Sequence, residues 1–252
     1  YEKNLIEIST IDEIVKYSPI FVLGAIQRIL GEDFHKKFYH YSYKLALGIA
    51  PKFKAYKDKI EEAVKKVLPP NSYCEVYPQG YGAYMDTLID SPDRVIGKDV
   101  LVIDIGFNTV DYVLISSEGV KIKGDTIERL GMTTAVEIFR KAIPSSYSEL
   151  ANYSLSRMLN IFETGKAVVS GREISLLQFR VKAIELYSDT ILSRMKDEIG
   201  NYLFEIPSVI LVGGGAYYVK FNRDVYIPPS PEFANARGFY KSLLMEANNA
   251  QK

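Results

Sequence analysis

Two aspartates bracket a short turn between two apolar runs, a placement that suits either cation binding or turn capping. Asp104 lies near the end of the run Val100–Ile105, and Asp111 comes directly before a second run at residues 112–115. Continuous Val, Ile and Leu runs of this length are typical of strands buried on both faces, and the stretch 106–109 predicts a tight hairpin turn. A carboxylate in such a place is costly unless a cation or a hydrogen-bond donor satisfies it.

Phosphate binding beside a hydrated Mg2+ ion is the chemistry that this predicted hairpin suits. Backbone N–H groups exposed in a tight turn form an anion-binding nest. A carboxylate beside that nest can hold Mg2+ that keeps several of its waters. An ordinary β-hairpin whose aspartates cap the turn accounts for the same spacing equally well, so the hairpin alone leaves both interpretations open.

A second glycine-rich turn follows about a hundred residues later. The apolar run Ser208–Val212 leads directly into three glycines and Ala216. Glycines at such a place let the backbone approach a ligand closely, and a helix that begins there presents N–H groups to an anion. A strand followed by three glycines is a weak indication by itself. The order of the two motifs, a D-x-G-x-x-T-x-D hairpin and then a strand ending in GGG, is more specific.

Alternating predicted strands and helices must position these two motifs. Ser18 followed by Pro19 predicts the start of the first helix, with serine as its N-cap. Apolar spacing then predicts strands at 43–49, 72–77 and 120–123, and helices at 51–68, 81–89, 132–143, 174–203 and 233–245. Gln79 lies between the second of these strands and the helix at 81–89.

The order of the two motifs resembles the actin-like ATPase superfamily, which also contains Hsp70-type chaperones and sugar kinases. In that superfamily the first motif is the phosphate-2 loop and the second is the adenosine loop. Three further segments are similar to plasmid-partition actins of the ParM (StbA) type and to archaeal actin-like proteins. They are LALGIAP at 45–51, VYPQGYGA at 76–83 and PEFANARGF at 231–239.

The resemblance implies an α/β protein with the actin-like, ribonuclease H-like fold, in which mixed sheets are flanked by helices in two domains. Domain I is expected at 1–97 plus 231–252, and domain II at 98–230. Members of the superfamily open with a phosphate-1 loop of D-x-G-x-x-x-x-K type, which nothing before Ser18 matches. Either this chain lacks an N-terminal portion or the protein has lost half of its phosphate clamp. The first is favoured, because strands of a doubly wound sheet need their neighbours.

The resemblance also implies the ligands and the residues that hold them. ATP, or GTP, is expected with Mg2+, which Asp104 would hold through water. Gln79 and Asp104 are the expected catalytic residues, with Gln79 orienting the attacking water rather than taking its proton; an exposed turn glutamine is the alternative. The residues expected to contact the nucleotide are Gly106, Phe107, Asn108, Thr109, Asp111, Gly131, Gly213, Gly214, Gly215 and Ala216.

A nucleotide-dependent filament protein is the function that the resemblance favours. Such a protein hydrolyses ATP as it polymerises, and it serves DNA or plasmid segregation or a cytoskeletal role. One alternative is an actin-fold scaffold that binds nucleotide without polymerising. Another is a small-molecule kinase on the same fold, although such kinases need a carboxylate base where this chain has Gln79.

Composition and charge limit the partners and the location. Of 252 residues, 47% are hydrophobic and 25% charged, as in ordinary globular proteins, and 31 basic residues balance 31 acidic ones. This balance argues against direct binding to nucleic acid or to a membrane. The resemblance implies self-association into a filament and a DNA-binding adaptor protein as the partners. The apolar runs are too short for a membrane span. The single cysteine, Cys74, allows no internal disulfide, which favours the cytoplasm.

Overall fold

A four-stranded mixed sheet carries the Asp104 hairpin at its centre. The computed structural model describes residues 10–249, and the side chains of 10–246; residues 1–9 and 250–252 of the expected domain I lie outside this part. The strands of the four-stranded sheet are β3 (Val100–Ile105), β4 (Thr109–Ile115), β5 (Lys121–Glu128) and β8 (Ser208–Val212). Their order in the sheet is β5-β4-β3-β8, with β3 and β8 parallel and the other neighbours antiparallel.

Two smaller sheets and eight helices complete the described part of the chain. A parallel pair joins β1 (Lys44–Ile49) to β2 (Tyr73–Pro78), and an antiparallel hairpin joins β6 (Lys166–Val169) to β7 (Arg172–Ser175). The helices are α1 (Ile11–Leu30), α2 (Phe34–Lys37), α3 (Lys57–Lys65), α4 (Tyr81–Asp90), α5 (Met132–Ala142), α6 (Leu155–Thr164), α7 (Leu177–Ile199) and α8 (Ala234–Asn249). The expected α/β class, with mixed sheets flanked by helices, is confirmed.

Strands β3, β4 and β8 of the central sheet are buried on both faces, as their continuous apolar runs predict, whereas the edge strand β5 is largely exposed. Side chains of a strand alternate between faces, so Leu101 and Ile103 enter one core while Val100 and Val102 enter another. Helices α5, α6 and α7 cover the first face. Residues of α4 and the first residue of α8 cover the second, whereas β1, β2, α1 and α3 enclose a separate third core.

Helices α4 and α8 approach each other more closely than side chains would allow. Gly82 on α4 faces Gly238 on α8, and a Cβ atom on Gly238 would clash with the carbonyl oxygen of Gly82. The pair is also joined by charge, because the buried Asp86 of α4 binds Arg237 and Lys241 of α8 at 2.8 and 2.7 Å. Since α8 also packs on β1, the two helices connect the β1–β2 sheet with the four-stranded sheet.

The first helix begins eight residues earlier than expected. Thr10, not Ser18, caps α1: its hydroxyl accepts from the N–H of Glu13 at 3.3 Å, and the Glu13 carboxylate accepts from the N–H of Thr10 at 3.1 Å. This reciprocal capping box fixes the helix start. Pro19 therefore lies inside the helix, where it leaves one backbone acceptor without its usual donor.

Several other boundaries differ from the expected ones, because 3-10 turns or strands take the place of part of an expected helix or extend an expected strand. The segment 51–68 divides into a 3-10 turn at Pro51–Tyr56 and α3. The stretch 174–203 begins as strand β7, whose partner β6 was not expected. The strand after Gly119 extends to Glu128, and the three glycines lead into a 3-10 turn at Gly214–Tyr217 instead of an α-helix.

One helical run, Ile11–His40, is long and apolar enough to cross a membrane when judged by length and composition alone. The expectation that no segment reaches this length overlooked it, because isolated charged residues interrupt its apolar residues. Only 11% of its most apolar window is buried, and length and composition alone do not identify a membrane protein. The expectation of no membrane partner stays a prediction.

We expect Gly238→Ala to lower the free energy of unfolding by about 1–3 kcal/mol, because the added methyl group must push α8 away from α4. The matched control is Gly24→Ala on α1, where a Cβ atom meets nothing within 4 Å. There the better helix propensity of alanine should raise stability by up to about 1 kcal/mol. Urea unfolding of both variants checks this, and equal stabilisation by the two changes would contradict the close α4–α8 contact.

Candidate functional site

A cleft of about 750 Å³ lies between the β3–β4 hairpin and the segment that follows β1. Most of the residues expected to form a site line it. They are Gln79, Asp104, Gly106, Phe107, Asn108, Thr109 and Asp111, joined by Ile14, Ala50, Lys52, Phe53, Glu128, Arg129, Thr133 and Leu155. The cleft thus brings together the hairpin and the glutamine at the end of β2.

Asp104 and Asp111 face each other as register partners on adjacent strands. Both are buried, with 8% and 4% of their surface exposed. Burial raises the pKa of Asp104 to about 7, and the charge of Asp111 adds to the rise. Burial likewise raises the pKa of Asp111 to about 6. Two buried carboxyl groups so close together favour a cation between or beside them.

Each aspartate has a hydrogen-bond donor from another part of the chain. The side-chain amide of Asn235, on α8, donates to Asp104 Oδ2 at 2.7 Å. The hydroxyl of Thr126, on β5, donates to Asp111 Oδ1 at 2.5 Å. Both contacts favour the ionised carboxylate and so limit the rise of the two pKa values. The positive charge of Lys52 also lowers the pKa of Asp111.

The hairpin loop directs a row of N–H groups away from α5. The carbonyl groups of Gly106, Phe107 and Asn108 accept from the first N–H groups of α5 and its N-cap, at 2.9–3.1 Å. All described peptide bonds are trans, and in a planar trans peptide the N–H points opposite to the carbonyl. The N–H groups of residues 107–109 therefore point away from α5, and these residues line the cleft. This arrangement suits an anion.

Gly131 supports the hairpin from behind. Its N–H donates to the carbonyl of Asn108 at 3.1 Å, and a Cβ atom here would clash with the carbonyl of Phe107. It does not line the cleft, so its expected contact with a nucleotide stays a prediction. Thr133, two residues further on, does line the cleft.

Gln79 reaches the cleft because the chain reverses directly after it. Its N–H donates to the carbonyl of Ile49 at 2.7 Å, which continues the β1–β2 ladder by one residue. Gly80 then takes a φ of +86°, a conformation that glycine adopts readily, and α4 begins. The half-buried Gln79 side chain is left beside the hairpin that carries Asp104.

The three glycines after β8 differ in their surroundings. Gly213 has a φ of +82°, and a Cβ atom there would clash with Asp104 Oδ1. Gly215 packs against Ile105, and Ala216 is buried in the main core. Gly214 is exposed, and a Cβ atom on it meets nothing within 4 Å. Of these four expected nucleotide contacts, Gly214 alone has open space for a ligand, and none of the four lines the cleft; all four stay predictions.

Comparison with known proteins shows the fold that carries this cleft. Residues 102–222, just under half of the chain, match the family model described as archaeal actin homologue MreB-like, C-terminal. The archaeal actin homolog Ta0583 is 16% identical and superposes with a TM-score of 0.68 over 88% of this chain and 76% of its own. The chain has the actin-like fold. The resemblance to the actin-like superfamily, inferred from two motifs, is confirmed.

Two further structures share the actin-like fold. A 15-stranded ParM filament from Clostridium botulinum is 21% identical, with a TM-score of 0.62 over 78% of this chain and 65% of that one. MreB5 of Spiroplasma citri bound to ADP is 16% identical, with a TM-score of 0.62 over 91% of this chain and 78% of that one. This actin-like chain spans about two thirds of the ParM chain. No curated protein matches the sequence.

Several residues of the cleft region were not anticipated, among them Lys52, Thr126, Arg129 and Asn235. Lys52 binds Glu128 at 2.5 Å, and Arg129 adopts a left-handed φ of +54° at the cleft wall. Asn235 belongs to the ANARG segment that supported the resemblance, but no spacing rule connects it with Asp104, 131 residues away. These contacts are visible only in the folded structure, because they join residues on different strands and helices.

The donor set fits a hydrated Mg2+ ion better than a tightly caged metal. Carboxylate oxygens of Asp104 and Asp111 are the ligands that Mg2+ prefers. Within residues 10–249, no group of three or more His, Cys, Asp or Glu side chains gathers to hold a metal ion. An ion here would therefore take its remaining ligands from water and from a phosphate.

We expect Asp104→Asn to remove part of the pH dependence of stability. A rise of the pKa from 3.8 to about 7 in the folded state means that the fold binds more protons than the unfolded chain between those values. Its contribution to stability is present below pH 4 and is lost as pH rises through about 7, by at most about 4 kcal/mol. Without metal, the variant should therefore gain stability over wild type at pH 8 and little at pH 4.

Urea unfolding at the two pH values measures this difference. Asp189→Asn on the exposed face of α7 is the matched control, since it makes the same chemical change in solvent. If Asp104→Asn raised the free energy of unfolding above that of wild type by the same amount at both pH values, the raised pKa of Asp104 would be contradicted.

Proposed function

We propose that this chain binds ATP, or GTP, with Mg2+ in the cleft, hydrolyses it, and assembles into filaments under nucleotide control. The observation that supports the proposal is the meeting of three groups at one place. Loop N–H groups of residues 107–109 suit a phosphate, Asp104 and Asp111 suit a hydrated cation, and Gln79 lines the same cleft.

Phosphoryl transfer to water needs positioning and electrostatic stabilisation more than it needs a strong base. In the proposed reaction Gln79 accepts a hydrogen bond from the attacking water and so aligns it with the terminal phosphate. Asp104 holds water molecules of the ion, which would supply positive charge beside the phosphate oxygens. Lys52 and Arg129, at the wall of the same cleft, add cationic side chains.

Filament formation rests on the structural relatives. One is a ParM filament, and another, MreB5, is bound to ADP. Because basic and acidic residues balance, we infer that a filament of this chain would reach DNA through an adaptor protein rather than directly. Plasmid or DNA segregation, or a cytoskeletal role in the cytoplasm, is the corresponding biological task.

A kinase acting on a small molecule is less well supported. Transfer to a hydroxyl acceptor is aided by a carboxylate that takes the proton, and at the end of β2 this chain has the amide Gln79. A nucleotide-binding scaffold would keep the same cleft without turnover or polymer. The following experiment separates a scaffold from a filament.

We expect Gln79→Ala to reduce ATP hydrolysis roughly a hundredfold, because it removes the group that aligns water. Nucleotide affinity should change little, since the hairpin that faces the phosphates is untouched. If hydrolysis disassembles the polymer, the variant polymer should persist longer. Phosphate release, calorimetry with ATP, and sedimentation measure the three effects.

The matched control is Gln178→Ala, the same change on the exposed face of α7. Hydrolysis by Gln79→Ala at the wild-type rate would contradict the assigned role. ATP binding without phosphate release or sedimenting polymer, in the wild type itself, would establish the scaffold instead.

A bulky side chain on Gly214 should weaken nucleotide binding without unfolding the protein. The open space at this residue accepts a Cβ atom, so Gly214→Val fills volume that the proposed nucleoside would occupy. Affinity should fall at least tenfold, about 1.4 kcal/mol, and Gly214→Ala should have a smaller effect. Calorimetric titration with ADP measures both, and Gly24→Val on α1 is the control. Unchanged affinity in Gly214→Val would exclude this residue from the site.

A further inference from the structure

The side chain of Asn235 lies between the Asp104 carboxylate and the start of α4. Its Oδ1 accepts from the N–H of Gly80 at 2.8 Å and from the N–H of Ala83 at 3.2 Å. Its Nδ2 donates to Asp104 Oδ2 at 2.7 Å. One side chain thus contacts the acid on the central sheet and the helix that follows Gln79.

The partners determine which way the amide of Asn235 points. Backbone N–H groups only donate, so the atom that faces Gly80 and Ala83 must be the oxygen. The nitrogen then faces Asp104, where an ionised carboxylate only accepts. An aspartate in place of Asn235 would keep the acceptor for α4 and lose the donor for Asp104. Residue 235 therefore offers a substitution that separates the two contacts.

Helix α8 holds Asn235 firmly in this position. Two residues further on, Arg237 binds the buried Asp86 of α4, and Lys241 binds the same carboxylate. The two helices also pack closely beside Asn235, since a Cβ atom on Gly82 would clash with the carbonyl oxygen of Asn235. These contacts fix the amide of Asn235 with respect to α4. The hydrogen bond from this amide then determines where the Asp104 carboxylate lies relative to α4.

We propose that Asn235 is a positioning residue: it holds the Asp104 carboxylate in register with the turn that carries Gln79. The inference rests on the proposed function, since the two groups it aligns are the proposed water-orienting amide and the proposed ligand of the hydrated ion. Asn235 itself touches neither phosphate nor water in this role. Its effect is on the distance and direction between the two groups.

The test compares Asn235→Asp with Asn235→Ala and with Ser242→Ala, a control on the same helix whose hydroxyl donates only to the carbonyl of Gly238. Steady-state ATP hydrolysis gives kcat and KM, and calorimetry gives the dissociation constant for ADP. We expect Asn235→Asp to lower kcat at least tenfold while KM and ADP affinity stay within about threefold. Ser242→Ala should match wild type in all three quantities.

Asn235→Ala loses both contacts without adding a carboxyl group beside Asp104, so it should also be slow, and it separates loss of the amide from the effect of added charge. Wild-type kcat in a folded Asn235→Asp would overturn the positioning role and leave the proposed function intact. Loss of the fold in both variants, seen by circular dichroism, would also overturn it, because Asn235 would then serve the helix pair. If wild type neither binds nor hydrolyses ATP, the proposed function fails, and this inference fails with it.

Discussion

Burial of two carboxyl groups side by side is the constraint on which the rest of the structure depends. Asp104 and Asp111 lie on the neighbouring strands β3 and β4, whose other residues are mainly apolar and buried. A charged group in such surroundings costs several kcal/mol unless hydrogen bonds or an ion compensate. The fold meets this requirement from two directions, with Asn235 donating to one acid and Thr126 to the other. A cation bound in the cleft can offset the rest of the free-energy cost of burying the two carboxylates.

The same constraint explains why distant elements converge on the hairpin. Asn235 can reach Asp104 only because α8 lies against α4 at glycine-to-glycine distance. Lys52 lies close to Asp111 because the 3-10 turn after β1 packs on β5. The backbone N–H of Lys52 also donates to the hydroxyl of Thr126 on β5 at 3.4 Å. The helix pair and the turn thus join the two-stranded sheet to the four-stranded sheet at the place where the acids are buried.

The sequence was informative where burial alone decides the structure. Strands β3, β4 and β8 could be predicted because every residue in their apolar runs avoids water, and the hairpin residues that line the cleft were predicted with them. The predicted start of α1 at Ser18 was wrong. A serine followed by a proline is typical of a helix start, but the capping box of Thr10 and Glu13 starts the helix earlier. The contacts of Asn235 and Thr126 could not be predicted, because they depend on tertiary packing between residues far apart in the chain. The boundaries of the two expected domains, at 97/98 and 230/231, stay a prediction.

The separation in sequence between Asp104 and Asn235 affects the order in which the molecule folds. The β3–β4 hairpin is local in sequence, whereas the parallel neighbour β8 and the amide donor on α8 come about a hundred residues or more later. At about 5–20 residues per second, synthesis of the intervening chain takes roughly 7–26 s. Throughout that interval a chain emerging from the ribosome carries its acid pair without the amide that satisfies it. The cleft can therefore be completed only after α8 has been synthesised.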